Sequence, residues 1–266
     1  IRLAIKGYRV EVWEKNSFAG GKLSEYKLGP YRFDAGPSLF TLPNLVEELY
    51  QLAGKSKEMF AYERLDPICR YFWEDGTRFE APADPDQFAE DAAKAFGVSK
   101  AAVRKQLQRS KDIYDTTAPV FLFRSMHKAH TFLSKDFLRG VVKFPQLQVF
   151  KSMHQAHASR LNHPKLVQLF DRYATYNGSS PYKAPATLQA IPSLEYFQGA
   201  WLPKDGMIAI TQGLEALAKS LGVQFKFGQT VTQIHHREGL IRKICTQETE
   251  VEPHLTVSAI DVAALY

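Results

Sequence analysis

The stretch YRVEVWEKNSFAGGK at residues 8–22 decides the fold of this chain. Val10 and Val12 alternate with polar neighbours, as in a half-buried strand, and the acidic Glu14 closes that strand. A tight loop with two glycines and Lys22 follows. This order is typical of the second half of a dinucleotide-binding βαβ unit, in which an acid after the second strand binds a ribose. We therefore predict an α/β fold with a Rossmann-like domain.

The two ends of the sequence bear on how much of that domain is present. The ribose-binding acid lies about 20 residues after the glycine-rich phosphate loop, so counting back from Glu14 places that loop before Ile1. Residues 1–7, IRLAIKG, have the spacing of a helix tail closed by a glycine. Residues 255–259 resemble a strand, and residues 261–266 an interrupted helix start. We expect a fragment without the glycine loop and without a C-terminal part.

Composition and charge narrow the class of protein. The 266 residues are 45% hydrophobic, which suffices for a buried core. The net charge of +6 suits an anionic partner, whether nucleic acid, a dinucleotide phosphate or an acidic membrane surface. Two distant cysteines give no disulfide framework and fit a reducing cytoplasm. No run of about 18 apolar residues is present to span a membrane.

Local patterns divide the chain into three segments. We predict the first part of the dinucleotide-binding domain at residues 1–65, an interleaved α+β substrate domain at 66–195, and the return of the first domain at 196–266. Asp75-Gly76 predicts a hairpin between residues 68–73 and 77–80. Helices are expected at 85–96, 100–114, 121–133, 146–160 and 164–176, with a turn near Thr117. Strands are expected at 196–201, 224–227, 230–235 and 240–245.

The glycine pair and the acid each have two interpretations. Gly20 and Gly21 would let backbone N–H groups approach a pyrophosphate that Lys22 neutralises, although glycine pairs more often form plain turns. Glu14 would accept hydrogen bonds from both ribose hydroxyls, or it is an ordinary surface acid.

Several motifs together resemble one superfamily. The strand ending in Glu14, the GGK at 20–22 and the FDAGP at 33–37 before a helix resemble the flavin-binding amine oxidases and carotenoid desaturases. Within that superfamily the chain resembles the bacterial phytoene desaturase family through RYATYNGSSPYKAPAT at 172–187, GAWLPKDGM at 199–207 and LGVQFKFGQTVTQI at 221–234. Asp205 departs from the family, which usually has a glycine there, but Asp tolerates left-handed backbone angles.

The resemblance implies FAD as the cofactor and assigns residues to it. Glu14 would hold the adenosine ribose, with the 20–22 loop at the pyrophosphate. Val231 would meet the adenine through its backbone and would be buried. The residues near the isoalloxazine ring would be Gly36, Pro37 and Ser38.

The reaction implied by the resemblance is desaturation of a carotenoid such as phytoene, with a hydride leaving to the flavin and a proton to a base or water. Alternatives with the same fold are a carotenoid isomerase, a hydroxycarotenoid desaturase and an amine oxidase. An alternative of another class is a non-catalytic lipid-binding module. The sequence leaves the oligomeric state open.

Residues 118–160 combine cations with phenylalanines, and Asp136 is their single acid. Rings that enter the acyl boundary beside cations that meet headgroups are typical of an interfacial anchor. A solvated helix face and a nucleic-acid surface are the alternatives, but no nucleic-acid-binding motif accompanies the charge. We expect a cytoplasmic protein, peripheral on the cytoplasmic membrane. The residues concerned are Arg124, Lys128, Lys135, Arg139, Lys143, Lys151, Arg160, Phe121, Phe123, Phe132, Phe137, Phe144 and Phe150.

Asp136 and Arg139 lie one helical turn apart and resemble an acid–base pair at a similar place in the family. If buried near the flavin, Asp136 would accept a proton from the substrate; the alternative is a surface ion pair of little energetic value. Two histidine pairs, His127 with His130 and His154 with His157, have a spacing that suits a metal. No carboxylate or thiolate set nearby in sequence completes such a site, so we expect no metal.

Overall fold

A computed structural model describes residues 1–56 and 60–265, without the side chain of residue 264. The chain divides into two compact units. Unit 1 comprises Ile1–Ser38, Asn44–Ala61 and Pro203–Tyr266, and unit 2 comprises Leu39–Pro43 and Tyr62–Leu202. The domains predicted at 1–65, 66–195 and 196–266 were assigned by function, whereas these units are defined by contacts alone. The functional division stays a prediction.

The secondary structure follows the chain in three parts. The first part contains α1 (Arg2–Ile5), β1 (Glu11–Glu14), β2 (Glu25–Leu28), β3 (Tyr31–Asp34) and α2 (Asn44–Leu52). The second contains β4 (Tyr62–Arg64), β5 (Cys69–Phe72), β6 (Arg78–Ala81), α3 (Pro85–Phe96), α4 (Lys100–Phe121), α5 (Ala129–Phe132), α6 (Lys135–Val142), α7 (Phe144–Leu147), α8 (Met153–Ala158), α9 (Pro164–Asp171) and β7 (Trp201–Pro203). The third contains α10 (Ile208–Ser220), β8 (Gln224–Phe227), β9 (Gln233–Arg237), β10 (Leu240–Cys245), β11 (Glu250–Val251) and α11 (Val262–Leu265).

Unit 1 is held by pairing between its two ends. β1 runs parallel to β8, with Glu11 opposite Gln224 and Glu14 opposite Phe227. A parallel pair needs a long connection, and here nearly the whole chain separates the two strands. The hairpin of β2 and β3 pairs Glu25 with Asp34. β9, β10 and β11 form a separate antiparallel sheet.

Unit 2 contains a single apolar cluster around α3. The predicted hairpin at Asp75-Gly76 is confirmed, since β5 and β6 pair on either side of it. α3 begins where predicted because the Asp84 side chain accepts hydrogen bonds from the N–H groups of Asp86 and Gln87. Phe88 of α3 is fully buried, and the edge of its ring meets the face of Phe170 on α9.

The helical part of unit 2 differs from the prediction. The turn expected near Thr117 is wrong, because α4 continues to Phe121. The hydroxyls of Thr116 and Thr117 donate to the carbonyl oxygens of Asp112 and Ile113, one turn earlier, which satisfies both side chains inside the helix.

Two predicted long helices are instead broken. Residues 121–133 contain only the end of α4 and the short α5, and residues 146–160 contain the end of α7 and all of α8. The second break has a local cause: Gln148 adopts a left-handed conformation with φ of 50°, and Ser152 then caps α8 by accepting from Gln155. A new cap starts a new helix.

Two predicted strands are also wrong. Within residues 196–201, Leu194–Gln198 forms a π-helical turn that buries Tyr196, and β7 starts only at Trp201. Residues 255–259 form no strand. The predicted helix start at 261–266 is observed as α11, while Tyr266 lies outside the described residues.

A buried ion pair fixes the π-helical turn. Glu195 is 1% exposed, and its Oε2 accepts a hydrogen bond from Arg172 at 2.9 Å. The hydroxyl of Tyr173 donates to the same oxygen at 2.7 Å. Tyr176 donates to the other carboxylate oxygen, Oε1. Since a buried carboxylate is tolerated only with such partners, these side chains join the turn to residues 172–176.

Replacing Arg172 with methionine is expected to lower the free energy of unfolding by about 3–5 kcal/mol, because Glu195 is left as an uncompensated buried charge. Urea unfolding followed by circular dichroism measures it. The double variant Arg172→Met with Glu195→Leu removes both charges and is expected to recover most of the loss. Equal destabilisation of the single and double variants would contradict the prediction.

Candidate functional site

Glu14 stands at the end of β1, half-buried. Its Oε1 accepts a hydrogen bond from the Asn16 N–H at 2.8 Å, which fixes the turn after the strand. Its backbone carbonyl accepts from the Gln229 N–H at 3.0 Å, so the connection after β8 starts beside it. Within the described part of the chain, Oε2 accepts no hydrogen bond. This oxygen is available to the hydroxyl of a ligand.

The loop after β1 turns at its two glycines. Gly20 has φ of 114° and Gly21 has φ of 56°, both in the region that favours glycine. A Cβ on Gly20 would stand 2.4 Å from the Leu23 carbonyl oxygen, whereas one on Gly21 would meet nothing within 4 Å. Lys22 is exposed. The loop is packed on its Gly20 side and open at Gly21, as an anion site requires.

Gly36 approaches this loop closely. A Cβ at Gly36 would stand 1.9 Å from the carbonyl oxygen of Lys22, so only glycine fits there. The Ala35 N–H donates to the Ser24 carbonyl at 2.9 Å and holds the same approach. The structure thus brings together the predicted pyrophosphate loop and the segment predicted to lie near the isoalloxazine ring.

The start of α10, which is distant in sequence, contacts both β3 and the glycine loop. The Met207 N–H donates to Asp34 Oδ1 at 3.1 Å, and the Thr211 hydroxyl donates to the Leu23 carbonyl at 3.3 Å. The Gly206 N–H donates to the Pro203 carbonyl at 3.0 Å, so the turn forms although Asp205 replaces the glycine usual in the family. Sequence reasoning missed Thr211, whose only signal is its place on the face of an amphipathic helix.

Pro37 and Ser38 are exposed and follow Gly36 directly, and their predicted contact with the flavin stays a prediction. The expectation that Val231 is buried is wrong: it is 40% exposed and lies before β9, which starts at Gln233. Val231 belongs to the connection between β8 and β9, in which the Gln229 N–H donates to the Glu14 carbonyl, so no neighbouring strand of the described residues covers it.

These features fit a dinucleotide. An unsatisfied carboxylate oxygen at a strand end suits a ribose hydroxyl, and an exposed lysine beside an open glycine suits a pyrophosphate. Glu14, Gly20, Gly21, Lys22 and the segment after Gly36 would hold FAD. The assignment of each residue to a part of the cofactor stays a prediction.

Asp136 lies on α6 and its side chain is 38% exposed. Its carboxylate pairs with Arg124 at 2.8 Å rather than with Arg139, the predicted partner. The burial that a proton-accepting role requires is not observed, and the pairing corresponds to the surface ion pair considered as the alternative. The catalytic role of Asp136 and Arg139 stays a prediction without support from this geometry.

His154 and His157 share a carboxylate that lies at the end of α9. Their Nδ1 atoms donate to Asp171 at 2.6 and 2.8 Å. His157 is fully buried, and this burial lowers its pKa while Asp171 opposes the shift. Across residues 1–56 and 60–265, no group of three or more possible ligands is arranged for a metal ion. The sequence had not indicated Asp171, which is 14 residues from His157.

Unit 2 contains an apolar cavity of about 630 Å³. Such a volume falls in the range of small-molecule sites. The only side chains lining it that carry polar atoms are three threonines, two tyrosines and one asparagine, and none of the lining residues is Asp, Glu, Lys, Arg or His. It is lined by Tyr114, Thr116, Thr117, Ala118, Val120, Phe121, Leu122, Phe137, Gly140, Val141, Phe144, Leu147, Val149, Tyr176, Asn177, Thr187, Leu188, Ala190, Ile191 and Leu194. A predominantly apolar ligand fits this lining.

The cavity borders an exposed apolar surface. Phe121, Leu122 and Phe144 line the cavity and remain 63%, 57% and 47% exposed. In the described part of the chain, no helix has the length and apolar character needed to cross a membrane. We call the following exposed residues the apolar surface: Phe121, Leu122, Phe123, Phe132, Leu133, Leu138, Val141, Val142, Phe144 and Phe150.

Comparison with known sequences gives consistent matches. Residues 1–266 match the family described as flavin containing amine oxidoreductase. The chain is 44% identical over its full length to a 1-hydroxycarotenoid 3,4-desaturase of Flavobacterium sp., covering 54% of that protein. It is 31% identical to a 4,4'-diapolycopene oxygenase of Methylomonas sp., over 98% of this chain and 53% of that protein. The chain therefore spans about half the length of these relatives.

Solved structures share the fold. A crystal structure of a Pyrococcus furiosus protein matches 99% of this chain and 56% of its own, with a TM-score of 0.62 and 16% identity. A putrescine oxidase matches 94% of this chain and 52% of its own, with a TM-score of 0.56 and 12% identity. At these identities the likeness concerns the fold alone.

Replacing Glu14 with glutamine is expected to weaken FAD binding by roughly tenfold or more, because a hydrogen bond to a charged group contributes about 1.5–3 kcal/mol. The amide oxygen of glutamine can still accept from the Asn16 N–H, so the turn is kept. The bound flavin is measured by its absorption during titration. Glu11→Gln on the same strand is the matched control; equal affinity of wild type and Glu14→Gln would refute the ribose assignment.

Proposed function

The chain belongs to the flavin containing amine oxidoreductase family, and from this premise we propose that the protein dehydrogenates a carbon–carbon bond of a carotenoid. Membership confirms the predicted superfamily, its oxidoreductase class and FAD as the cofactor. The shared architecture of the solved structures confirms the predicted fold class. The substrate and the activity of the whole protein are the proposal.

The reaction removes two hydrogens from adjacent carbons. One C–H bond gives up a hydride and the other a proton, and the two carbons form a double bond. FAD, when bound, supplies the two-electron acceptor, and the proton passes to water or a base. The residues of this chain have a simpler task, which is to bind the cofactor, align an apolar chain and exclude water. An allylic hydrocarbon offers no group for a hydrogen bond, so little acid–base chemistry is required.

The apolar cavity is the observation that carries the proposal. Its size and lining suit a hydrocarbon chain rather than a charged substrate. An amine substrate is cationic at neutral pH, and leaving water for this cavity would be costly without a carboxylate to pair with it. Along the described cavity wall no carboxylate is present, and Glu195 behind it is committed to Arg172 and two tyrosines. The cavity therefore favours a carotenoid over an amine.

We propose a hydroxylated carotenoid as the preferred substrate. The relative at 44% identity is named for a 1-hydroxycarotenoid, and other relatives with carotenoid names are 27–31% identical. Asn177 and Thr187 provide two of the six polar side chains in a mostly apolar wall, where a terminal hydroxyl is able to bind. Phytoene, the substrate predicted from sequence, stays a prediction that the same assay examines.

We also propose that the protein binds a membrane surface peripherally, on its cytoplasmic side. The apolar surface contains side chains as exposed as Leu133 at 83%, Val142 at 81% and Phe150 at 95%. So many exposed apolar side chains in one stretch of about 30 residues are costly in water and are expected at an interaction site. The cations of residues 118–160 lie in the same stretch and suit anionic headgroups. A carotenoid dissolved in lipid would enter the cavity from this side.

The test of the reaction uses purified protein loaded with FAD and liposomes that contain a 1-hydroxycarotenoid, its analogue without the hydroxyl, or phytoene. Desaturation lengthens the conjugated system, so the carotenoid absorption shifts to longer wavelength as the flavin band bleaches without oxygen. The hydroxylated substrate is expected to react fastest. Isomerisation without flavin reduction, or no flavin binding at all, would overturn the proposal in favour of an isomerase or a lipid-binding module.

Replacing Gly140 with leucine is expected to lower kcat/KM for the carotenoid about tenfold, equivalent to about 1.4 kcal/mol. Gly140 lines the cavity, and a Cβ there meets nothing within 4 Å, so the added side chain occupies substrate space rather than forcing the backbone apart. Flavin content is expected to stay normal. Ala129→Leu, at an exposed helical position outside the cavity, is the control; equal kinetics for both variants would contradict the placement of the substrate.

Replacing Phe150 with serine is expected to weaken partitioning onto phosphatidylcholine vesicles by about tenfold, because burying such a ring contributes about 1.5–3 kcal/mol. Vesicle sedimentation measures the bound fraction. Phe72→Ser is the matched control, since Phe72 is 67% exposed but lies outside the apolar surface. If both variants partition like the wild type, Phe150 does not enter the lipid.

A further inference from the structure

A second cavity, of about 190 Å³, lies along α4 and carries a concentration of positive charge. Its wall contains four cations, Lys105, Arg109, Lys143 and Arg160, and one acid, Asp112. The remaining lining residues are neutral: Gln108, Ile113, Thr116, Gln146 and Leu147. Nothing in the proposed desaturation uses this cavity.

Arg109 is incompletely satisfied there. Its Nη2 donates to the Gln146 carbonyl at 2.6 Å, but its Nε is buried without a hydrogen-bond partner. A buried donor left unpaired destabilises the folded state, and more so when it belongs to a charged group. Asp112 forms no hydrogen bond with Arg109: its Oδ1 accepts from Gln108, although its charge raises the pKa of Arg109 and partly offsets the effect of burial. The guanidinium is therefore held in place with donor capacity unused.

Arg160 has only neutral partners. Its Nη1 donates to the Ala156 carbonyl at 2.9 Å and to Gln189 Oε1 at 3.2 Å, and its Nη2 donates to Gln148 Oε1. No carboxylate of the described residues pairs with its charge. Burial lowers the pKa of both arginines, and the charge of Arg109 lowers that of Arg160 further. Two guanidinium groups that repel each other in one small cavity favour an anion between them.

We propose that Arg109 and Arg160, with Lys105 and Lys143, bind the phosphate group of a membrane phospholipid. Guanidinium groups match the oxygens of phosphate with paired donors, and lysines add charge without a fixed geometry. The cavity is below the usual volume of sites for larger organic ligands, so it suits a phosphate and its ester atoms rather than a nucleotide.

The neighbouring residues favour a lipid over free phosphate. Lys143 of the charged cavity stands between Val142 and Phe144, two members of the apolar surface. Thr116 and Leu147 line both the charged cavity and the apolar cavity, so a charged site and an apolar site share a wall. A phosphate bound here would have an apolar path beside it, as an acyl chain requires. This site extends the proposed membrane contact and is independent of the desaturation chemistry.

The test compares two anionic vesicles of equal charge. Purified protein is sedimented with phosphatidylcholine vesicles containing phosphatidylglycerol, or containing oleate, which is anionic but lacks phosphate. The wild type is expected to bind phosphatidylglycerol vesicles roughly tenfold more tightly than oleate vesicles, since a hydrogen bond to a charged group is worth at least this much. Arg109→Gln is expected to abolish the difference while binding to plain phosphatidylcholine stays unchanged.

Controls separate this site from general attraction. Arg242→Gln removes one exposed charge from β10 and is expected to keep the preference. If Arg109→Gln fails to fold by circular dichroism, the exposed Lys105→Gln decides, with a smaller loss of the preference expected. Equal binding of both vesicles by the wild type, or an unchanged preference in the folded variants, would overturn the phosphate site.

Complete competition by inorganic phosphate at low millimolar concentration would overturn the lipid as its source. Loss of binding to plain phosphatidylcholine in Phe150→Ser tests the membrane contact separately.

Discussion

The close approach between Gly36 and the carbonyl of Lys22 is the constraint on which the glycine loop of unit 1 depends. A single added carbon would stand 1.9 Å from that oxygen, so the two backbone segments fit only without a side chain. The approach places the glycine loop after β1 against the segment that follows β3. The Thr211 hydroxyl then reaches the Leu23 carbonyl within the same loop. Three stretches of the chain, two of them almost 200 residues apart, are thus joined by contacts that each use at least one backbone group. The arrangement therefore depends on Gly36, Thr211 and Asp34 and on few other side chains.

The main feature of unit 2 is the apolar cavity, which is defined by its shape and not by hydrogen-bond donors. The short helices α6 and α7 and the end of α4 all contribute residues to the wall of the apolar cavity. The ion pair of Arg172 and Glu195 lies behind this wall, and Tyr176 belongs both to the cavity lining and to the partners of Glu195. The Tyr176 hydroxyl is used by Glu195, and none of the described residues that line the cavity is Asp, Glu, Lys, Arg or His. Such a cavity selects an apolar ligand by its shape rather than by charge.

Features that depend on residues close together in sequence could be predicted. The hairpin at Asp75-Gly76 and the start of α3 at its aspartate cap follow from residues within a few positions of each other. The close approach of Gly36 and the role of Thr211 depend on segments distant in sequence, so periodicity carries no information about them. Asp136 illustrates the limit: Arg139, one helical turn along, suggested one partner, yet Arg124, twelve residues away, forms the ion pair. A turn was predicted near Thr117, but α4 continues to Phe121, and the hydroxyls of Thr116 and Thr117 bond to carbonyl oxygens inside it.

Unit 2 starts and ends at neighbouring places. The Leu65 N–H donates to the Ala200 carbonyl at 2.9 Å, and Phe40 and Trp201 exchange two backbone hydrogen bonds, so the boundaries of the inserted chain lie side by side. A segment whose two ends meet can be lengthened, shortened or exchanged while the strands that flank it keep their register. The residues that line the cavity can therefore change in evolution while the strands of unit 1 stay the same. The same property makes a chimera practical, in which residues 66–199 are taken from a relative and the rest of the chain is kept.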